Sequence, residues 1–259
     1  MNPSYSVSSL WRYPVKSMAG EELDAVRVTA RGLRGDRAYA LVDSVTGKVG
    51  SAKSVRRFGD LLQCRAQFVS PPESDDRMPP VRITLPDGAV IESGEPDAVA
   101  KLNAAFGPQV SLVSSAPAGL MLEFSAGTLG GKHAETTAIP VAGEAAPGTL
   151  FDYASVHVVT TATLARLQAA YPDGQFTLQR FRPNIVVDCP DETGFVENSW
   201  TGRSRTDRAP RRLRLAGPLG PCRRLRARGR GGAEGAPHPT PASWTTTRWW
   251  ASRTSSPTP

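Results

Sequence analysis

The last 57 residues set the limit on what this chain can fold into. Residues 203–259 contain 13 Arg but no Lys, Val, Ile, Phe, Tyr or Met, and only four Leu. A segment so poor in core-forming side chains cannot bury enough apolar surface to offset the entropy lost on ordering. We therefore expect residues 1–202 to supply the core, and little regular structure beyond Cys222.

The charge of the chain divides in the same place. Residues 203–259 carry a net charge of +11 and the whole chain +7, so residues 1–202 carry −4. A basic protein often binds nucleic acid. This basic segment has no Lys, however, and its only aromatic residues are three Trp near the end, whereas nucleic-acid-binding tails usually provide stacking side chains. We predict no specific nucleic-acid partner.

Three explanations of the arginine-rich segment stay open. It is a natural disordered arm, a nucleic-acid-binding tail, or the product of a shifted reading frame. When the codons of residues 242–252 are read from their third base, the product has an apolar stretch, then a polar stretch, then another apolar stretch, as strands and the turn between them do. We favour a frame shift somewhere after Arg203.

Membrane, export and metal-cluster signals are missing from the sequence. No run approaches the ~18 apolar residues of a membrane span, and the N-terminus does not resemble a secretory signal. Cys64, Cys189 and Cys222 are an odd number of cysteines without close spacing. This argues against a disulfide framework, a zinc site and an iron–sulfur cluster. We expect a cytoplasmic protein with no membrane contact.

Short strands dominate the predicted secondary structure. Residues 9–53 form a series of strands separated by turns that contain Gly or Pro, and Asp87-Gly88 marks a hairpin within residues 81–93. Another strand begins after Pro183. The pattern predicts a mainly β protein with small helices (α+β), arranged as two β-barrel-like domains of which the second is incomplete.

Two helices interrupt these strands. The first covers about residues 96–106, with Gly107 as its stop. The second follows a strand at 156–159, begins at a capping Thr and ends at Pro172-Asp173-Gly174. His157 lies within that strand, and we expect it to be packed. The sequence suggests no Ser-His-Asp arrangement for hydrolysis.

Cationic side chains in turns are the candidate binding residues. Lys16 and Ser17 follow the rigid Tyr13-Pro14 step, although composition alone also fits a solvated loop lysine. Arg37 lies beside Asp36 behind two turn glycines, where a surface ion pair is the alternative.

A pair of arginines gives a stronger signal. Arg180 and Arg182 are two residues apart in a segment that we expect to be extended, and therefore on one face. Two arginines on one face repel each other unless an anion or a carboxylate lies between them. The spacing favours an anion site.

Five segments together resemble a known family. In order, they are YPVKSMAGEEL, GLRGDRAYALVD, HVVTTATLARL, RFRPNIVVD and FVENSWTGR. They resemble MOSC proteins with an N-terminal β-barrel, which are bacterial relatives of the mitochondrial amidoxime-reducing component, over residues 8 to about 203. The resemblance implies an N-terminal barrel domain at 1–120, an incomplete MOSC domain at 121–222, and a tail at 223–259.

The resemblance also implies a cofactor and its contacts. Family members of this kind bind a molybdenum cofactor (Mo-pyranopterin), and the matching positions here are Lys16, Ser17, Arg37 and Arg182, with Asn184 beside them; Arg180 is added from its spacing. The family's metal ligand is the second Cys of a late GPCxRC stretch. In GPLGPC, Leu219 replaces the first Cys and Cys222 falls on the ligand position, so Cys222 is the candidate catalytic metal ligand.

The implied activity is the reduction of small N-hydroxylated compounds. The chain has no iron–sulfur cysteines and no dinucleotide fingerprint, so a separate ferredoxin- or flavoprotein-type partner would supply electrons. The alternative is a non-catalytic module that binds molybdenum cofactor or carries sulfur, inactive through a damaged C-terminus. Pyridoxal phosphate binding is associated with this domain only through neighbouring domains in cofactor sulfurases.

Overall fold

The chain is mainly β, as the sequence predicts. The computed structural model describes residues 5–200, apart from 108, 118, 127–134, 142–144 and 147, and also the backbone of residues 223–226. The strands of this described part are β1 Ser6–Arg12, β2 Glu21–Leu23, β3 Ala25–Thr29, β4 Gly32–Leu33, β5 Ala40–Asp43, β6 Lys48–Val49, β7 Arg65–Phe68, β8 Val81–Thr84, β9 Val90–Glu92, β10 Val110–Val113, β11 Met121–Ala126, β12 Glu135–Pro140, β13 Val158–Thr160, β14 Ile185–Asp188 and β15 Arg223–Arg226.

The helices are few and short. The α-helices are α1 Val55–Phe58, α2 Ala98–Phe106, α3 Thr161–Ala170 and α4 Leu178–Phe181, and 3₁₀ turns cover Gly59–Gln63 and Val196–Trp200. None of the helices in the described residues is long and apolar enough to cross a membrane.

Four sheets make up the described fold. Their strand orders are β13-β14-β1-β2, β10-β5-β6-β11-β12, β15-β3-β4 and β7-β8-β9. The sheets are not closed barrels, but the mainly β architecture with small helices is the predicted fold class.

The first strand is paired with one of the last. β1 lies antiparallel to both β2 and β14, and β14 lies parallel to β13. The parallel pair needs a crossover, which α3 and α4 provide. β14 is buried along Ile185–Val187, as expected for a strand with neighbours on both sides. This sheet contains strands from before and after residue 120, where the sequence predicts the domain boundary. The boundary itself stays a prediction.

β5 separates two hydrophobic cores. Its four residues are all buried, and successive side chains of a strand point to opposite faces. Leu41 packs with the core that includes Val15, Phe58 and Ile83, whereas Ala40 and Val42 pack with the core around Leu122 and Leu150. A third core joins β1 and β14 to α3 through side chains that include Leu10, Ile185 and Ala162.

The predicted turns and caps are confirmed. β8 and β9 form the hairpin, with Gly88 at a φ of 87°. α2 ends at Gly107, which has a φ of 96°. α2 begins two residues later than predicted, at Ala98. α3 has the predicted Thr cap, because Thr160 accepts a hydrogen bond from the Thr163 amide at 3.1 Å.

One expectation about the C-terminal segment is wrong. Residues 223–226, where we expected little regular structure, form β15, which pairs antiparallel with β3 from Ala25 to Val28. Backbone hydrogen bonds of a strand do not depend on side-chain type, so an arginine-rich sequence can still add to a sheet edge. The rest of the segment, including Cys222, lies outside the described residues.

Candidate anion-binding site

Three turns bring the predicted cofactor residues together. The first follows β1 and carries Lys16 and Ser17; the second follows β4 and carries Arg37; the third follows α4 and carries Arg182. The first two are joined by the Arg37 amide, which donates to the Tyr13 carbonyl at 2.7 Å, and by the Lys16 amide, which donates to the Tyr39 carbonyl at 2.8 Å.

The backbone is strained at these turns. Among the described residues, four that are not glycine have positive φ, namely Ser17 (67°), Arg37 (46°), Gln109 (65°) and Arg182 (52°). Three of the four are predicted cofactor residues. A non-glycine residue in this region costs of order 1–3 kcal/mol, and such residues cluster at functional sites. The strain therefore supports the predicted positions independently of their charge.

The arginine turn needs glycine beside it. Gly35 has a φ of 80°, and a Cβ added there would lie 2.7 Å from the Phe68 ring. Asp36 follows, and its amide donates to the Leu33 carbonyl at 2.9 Å. This tight turn buries the Asp36 side chain and leaves that of Arg37 14% exposed, with an ion pair between them. The alternative of an ordinary surface ion pair is therefore wrong.

Tyr13 lies between the two arginines in the network of contacts. The guanidinium carbons of Arg37 and Arg182 are 4.5 Å and 4.9 Å from the centre of its ring. Its hydroxyl donates to the Pro183 carbonyl at 3.0 Å, and its amide donates to Asp36 Oδ1 at 2.8 Å. Arg37 Nη2 also donates to the Arg182 carbonyl at 3.4 Å. The second and third turns are thus held together around one ring.

Arg182 has buried donors that are not used. Its Nε and Nη2 are inaccessible to solvent and have no hydrogen-bond partner among the described residues. Burial, and after it the charge of Arg37, lower the pKa of Arg182 to about 10. Unsatisfied buried donors are rare in folded proteins, and each one needs an explanation. An anion that accepts from both nitrogens would satisfy them.

Lys16 is buried, so the alternative of a solvated loop lysine is wrong. Its side chain is 4% exposed, and Nζ donates to the Leu150 carbonyl at 2.7 Å and to Asp152 Oδ1 at 2.5 Å. Lys53 Nζ lies 3.0 Å from Asp152 Oδ2. Burial lowers the pKa of Lys16 to about 8, against the raising effect of Asp152.

The pKa of Asp152 is lowered as well, which for a carboxyl group favours the charged form. Burial by itself would raise its pKa, but the charges and hydrogen bonds of Lys16 and Lys53 lower it to about 2. Asp152 is therefore ionised at neutral pH and is shared by two ammonium groups.

The cluster holds more positive than negative charge. We call the following six side chains the anion-site cluster: Lys16, Lys53, Arg37, Arg182, Asp36 and Asp152. Its four cations face two carboxylates, which leaves an excess of two positive charges within the described residues. A phosphate monoester carries close to two negative charges at neutral pH. The cluster therefore matches a phosphate group in charge.

A small cleft opens beside the cluster. It has a volume of about 70 Å³, and Asp36, Arg37 and Leu150 border it. Pockets for whole cofactors measure several hundred Å³. Its lining also includes Arg31, Asp75 and Asp76, but neither Lys16 nor Arg182. The cleft therefore adjoins the cluster on the side of Asp36 and Arg37, and a bicyclic ring needs space beyond it.

Arg180 and Arg182 do not lie in one extended segment. Arg180 is exposed in α4 and donates to Gln175 Oε1 at 3.0 Å, whereas Arg182 is the left-handed residue that ends this helix. The expected extended segment is therefore wrong, because residues 178–181 form a helical turn. Arg180 is thus an exposed residue of the helix, whereas the Nε and Nη2 of Arg182 are buried.

Ser17 and Asn184 make structural contacts. Ser17 Oγ accepts from the Ala52 amide at 3.1 Å. Asn184 Oδ1 accepts from the His157 amide at 3.0 Å, and Nδ2 donates to the Trp11 carbonyl at 3.3 Å. Asn184 therefore links β1, β13 and β14 behind the cluster. His157 itself is exposed rather than packed.

The cysteines separate into two kinds. Cys64 and Cys189 are buried, and burial raises the pKa of these thiols to about 11 and about 12. These are the properties of structural cysteines. Cys222, the predicted metal ligand, lies outside the described residues.

Sequence reasoning missed Asp152 and Lys53, and it gave Tyr13 no role beyond a rigid step. Asp152 is 136 positions from Lys16, and no local pattern joins residues so far apart. Tyr13 did offer a signal, because it directly precedes Pro14 in the segment that carries the family resemblance.

The fold and the site define a mainly β protein that gathers lysine and arginine from three turns around a buried tyrosine. Residues 4–89 match the family model of the MOSC N-terminal beta barrel domain, and residues 146–253 match that of the MOSC domain. The chain contains both domains, in this order. A search of curated proteins finds no significant match.

Proposed function

We propose that this protein binds the molybdenum cofactor and reduces small N-hydroxylated compounds with electrons from a separate partner protein. The proposal rests on the resemblance to MOSC proteins and on one observation above all. That observation is the buried guanidinium of Arg182, whose Nε and Nη2 lack partners among the described residues, inside a cluster with excess positive charge.

The residues of the cluster fit the phosphate of a pyranopterin. Arg182 and Arg37 would donate to the phosphate oxygens, since a guanidinium matches that geometry with paired donors. Lys16 and Lys53 would add charge, and Asp152 keeps both ammonium groups at one position. Ser17 keeps a hydroxyl proton for donation, because its oxygen acts as the acceptor for Ala52.

The chain supplies binding and orientation, while the redox chemistry belongs to the cofactor. When bound, the molybdenum cofactor supplies the two electrons that convert an N–OH group, with two protons, to N–H and water. Cys222 is the residue proposed as its thiolate ligand, because soft sulfur donors suit thiophilic metals. The Tyr13, Arg37 and Arg182 side chains would hold its anionic end.

Cofactor content and turnover test the proposal in one preparation. Protein produced in a host that makes the cofactor is assayed for molybdenum by mass spectrometry, for pterin by fluorescence after denaturation, and for reduction of benzamidoxime with an artificial reductant. We expect both contents to approach one per chain, with measurable turnover. Metal-loaded protein without turnover would refute the reductase activity.

Arg180 and Arg182 provide a matched pair of variants. Arg182→Gln should reduce the pterin content by about tenfold or more, since a charged hydrogen bond to phosphate is lost. Arg180→Gln removes an equal charge two residues away on an exposed helix and should leave the content unchanged. Equal contents in the two variants would contradict the assignment of Arg182.

The second candidate is a binding module without catalysis. The observation that favours it is that the anion-site cluster lies within residues 16–182 and does not depend on Cys222. Pterin in the purified protein together with no benzamidoxime reduction would support the module. The nature of the electron donor is tested by turnover with reduced ferredoxin or flavoprotein in place of the artificial reductant.

A further inference from the structure

We propose that Tyr13 is a positioning residue that holds Arg37 and Arg182 ready to bind a phosphate group. The inference rests on the proposed function, because it concerns the same anion site. It assigns a role to a side chain that carries no charge and that the family resemblance did not single out.

The ring is the contact that both guanidinium groups share. Their central carbons lie 4.5 Å and 4.9 Å from the ring centre. Without an anion the two positive groups repel each other, and the charge of Arg37 contributes to the lowered pKa of Arg182. The negative face of an aromatic ring attracts cations, most strongly where water is excluded. An aliphatic side chain of similar volume offers no such attraction.

The rest of Tyr13 fixes the two arginine turns. Its hydroxyl donates to the carbonyl of Pro183, next to Arg182, at 3.0 Å. Its amide donates to Asp36, which pairs with Arg37, at 2.8 Å, and its carbonyl accepts from the Arg37 amide at 2.7 Å. Burial raises the pKa of the Tyr13 hydroxyl, so the hydroxyl remains protonated and able to donate.

This arrangement also accounts for the strained backbone. Arg37 and Arg182 both have positive φ, and such conformations persist only where surrounding contacts over-determine them. Tyr13 contacts both side chains and both turns. It is therefore placed to stabilise a conformation in which two cations stay together before the anion arrives.

Phosphate affinity at constant ionic strength tests the proposal. Isothermal titration of inorganic phosphate into the full chain, purified without cofactor, compares wild type with Tyr13→Phe and Tyr13→Leu. We expect Tyr13→Leu to raise the Kd by about tenfold or more, and Tyr13→Phe, which keeps the ring, by less than about threefold. Tyr39→Leu is the control, because the Tyr39 ring packs against Phe68 and should leave the Kd unchanged.

A graded series keeps the test decisive if Tyr13→Leu fails to fold. Phenylalanine, monofluoro- and trifluorophenylalanine at position 13 keep the size of the ring while its negative face weakens. The phosphate Kd should rise with each fluorine, an effect that a purely space-filling residue would not produce. A Kd that is constant along this series, or wild type that does not bind phosphate saturably, would overturn the proposal.

Failure of the proposed function gives a different result. Cofactor-loaded wild type that does not reduce benzamidoxime would refute the reductase activity, whereas the phosphate titrations on unloaded protein would be unaffected.

Discussion

Two charged regions of this molecule differ in how far their positive and negative side chains balance each other. In the anion-site cluster, four cations face two carboxylates, and buried nitrogens of Arg182 have no partner among the described residues. A second group, which we call the Asp43 cluster, contains Asp43 on β5, Lys48 on β6, Glu123 on β11 and Arg57 on α1. It pairs each cation with one carboxylate.

The Asp43 cluster is also satisfied in its remaining hydrogen bonds. Asp43 Oδ1 accepts from the amides of Val45 and Thr46 at 2.9 Å and 3.4 Å, and Ser54 Oγ donates to Glu123 at 3.2 Å. Burial alone would raise the pKa of Asp43, but these amides and Arg57 lower it. A balanced cluster of this kind stabilises a fold, whereas an unbalanced and strained one is explained by a ligand that completes it.

The largest expected difference concerns the loss of one carboxylate from each cluster. Asp36→Asn leaves Arg37, whose side chain is 14% exposed, without its ion-pair partner. Removing one partner of a buried pair costs about 3–5 kcal/mol. Asp43→Asn should cost only about 1 kcal/mol, because Arg57 is 39% exposed and can be hydrated.

Urea unfolding of both variants measures this difference. We expect Asp36→Asn to lose more free energy of unfolding than Asp43→Asn. Phosphate at saturating concentration should raise the free energy of unfolding of wild type and of Asp43→Asn, in both of which the anion-site cluster is intact. Equal losses of free energy of unfolding would mean that the two buried carboxylates have equivalent roles.

The next effect is the pH dependence of anion binding. Lys16, whose pKa is lowered to about 8 by burial against the effect of Asp152, is protonated below that pH and neutral above it. Because the neutral amine contributes no attraction, affinity for an anion should fall as the pH rises through about 8. Sulfate is the suitable probe, since it does not itself titrate in this range.

We expect sulfate affinity to fall several-fold between about pH 7 and about pH 9.5 in wild type. Lys16→Gln should bind more weakly and lose this step. Lys48→Gln, which removes a lysine from the Asp43 cluster, should retain it. A step that persists in Lys16→Gln would assign the titration to another group.

A smaller effect concerns stability without ligand. Arg182→Gly removes an unsatisfied buried guanidinium and relieves the left-handed backbone, which has φ 52° and ψ 51°. Relief of such strain is worth about 1 kcal/mol, against some lost packing on Tyr13. The free energy of unfolding should stay level or rise by about 1 kcal/mol, although phosphate binding is lost.

Denaturant unfolding with and without phosphate checks this pair of outcomes. A loss of more than about 2 kcal/mol in Arg182→Gly would show that Arg182 serves the fold. Unchanged or increased stability together with lost phosphate binding would identify Arg182 as a residue whose strained conformation serves binding at the expense of stability.

The structure brings together the turns that carry Lys16, Arg37 and Arg182, while their role in binding a cofactor stays a prediction. Lys16, Ser17, Arg37 and Arg182 were named from the family resemblance, and local patterns alone left a solvated lysine and a surface ion pair as alternatives. The same local reasoning assigned Arg180 to the face of Arg182. It failed there because residues 178–181 form a helical turn rather than an extended segment.

Contacts between distant residues could not be read from the sequence. The pairing of Lys16 with Asp152, and of β1 with β14, joins positions far apart in the chain. The fold class, the hairpin at Gly88 and both principal helices followed from residue patterns of short range. β15 was missed since pairing at a sheet edge uses the backbone, which arginine side chains do not prevent.

The smallest expected effect belongs to the ion pair between Lys48 and Glu123. Their side chains are 35% and 33% exposed, and pairs of this exposure contribute about 0–1 kcal/mol. Lys48→Met should therefore change the free energy of unfolding by less than about 1 kcal/mol, and it should leave the phosphate Kd unaltered. Urea unfolding and calorimetry of this one variant check both statements.

The result sharpens the contrast between the clusters. A lysine lost from a balanced and hydrated pair should change the free energy of unfolding little and the phosphate Kd not at all, while a lysine lost from the anion-site cluster should raise the Kd. A change in the phosphate Kd of Lys48→Met would contradict this. It would show that the anion is attracted by the electrostatic field of the whole protein surface rather than by the local excess of positive charge around Tyr13.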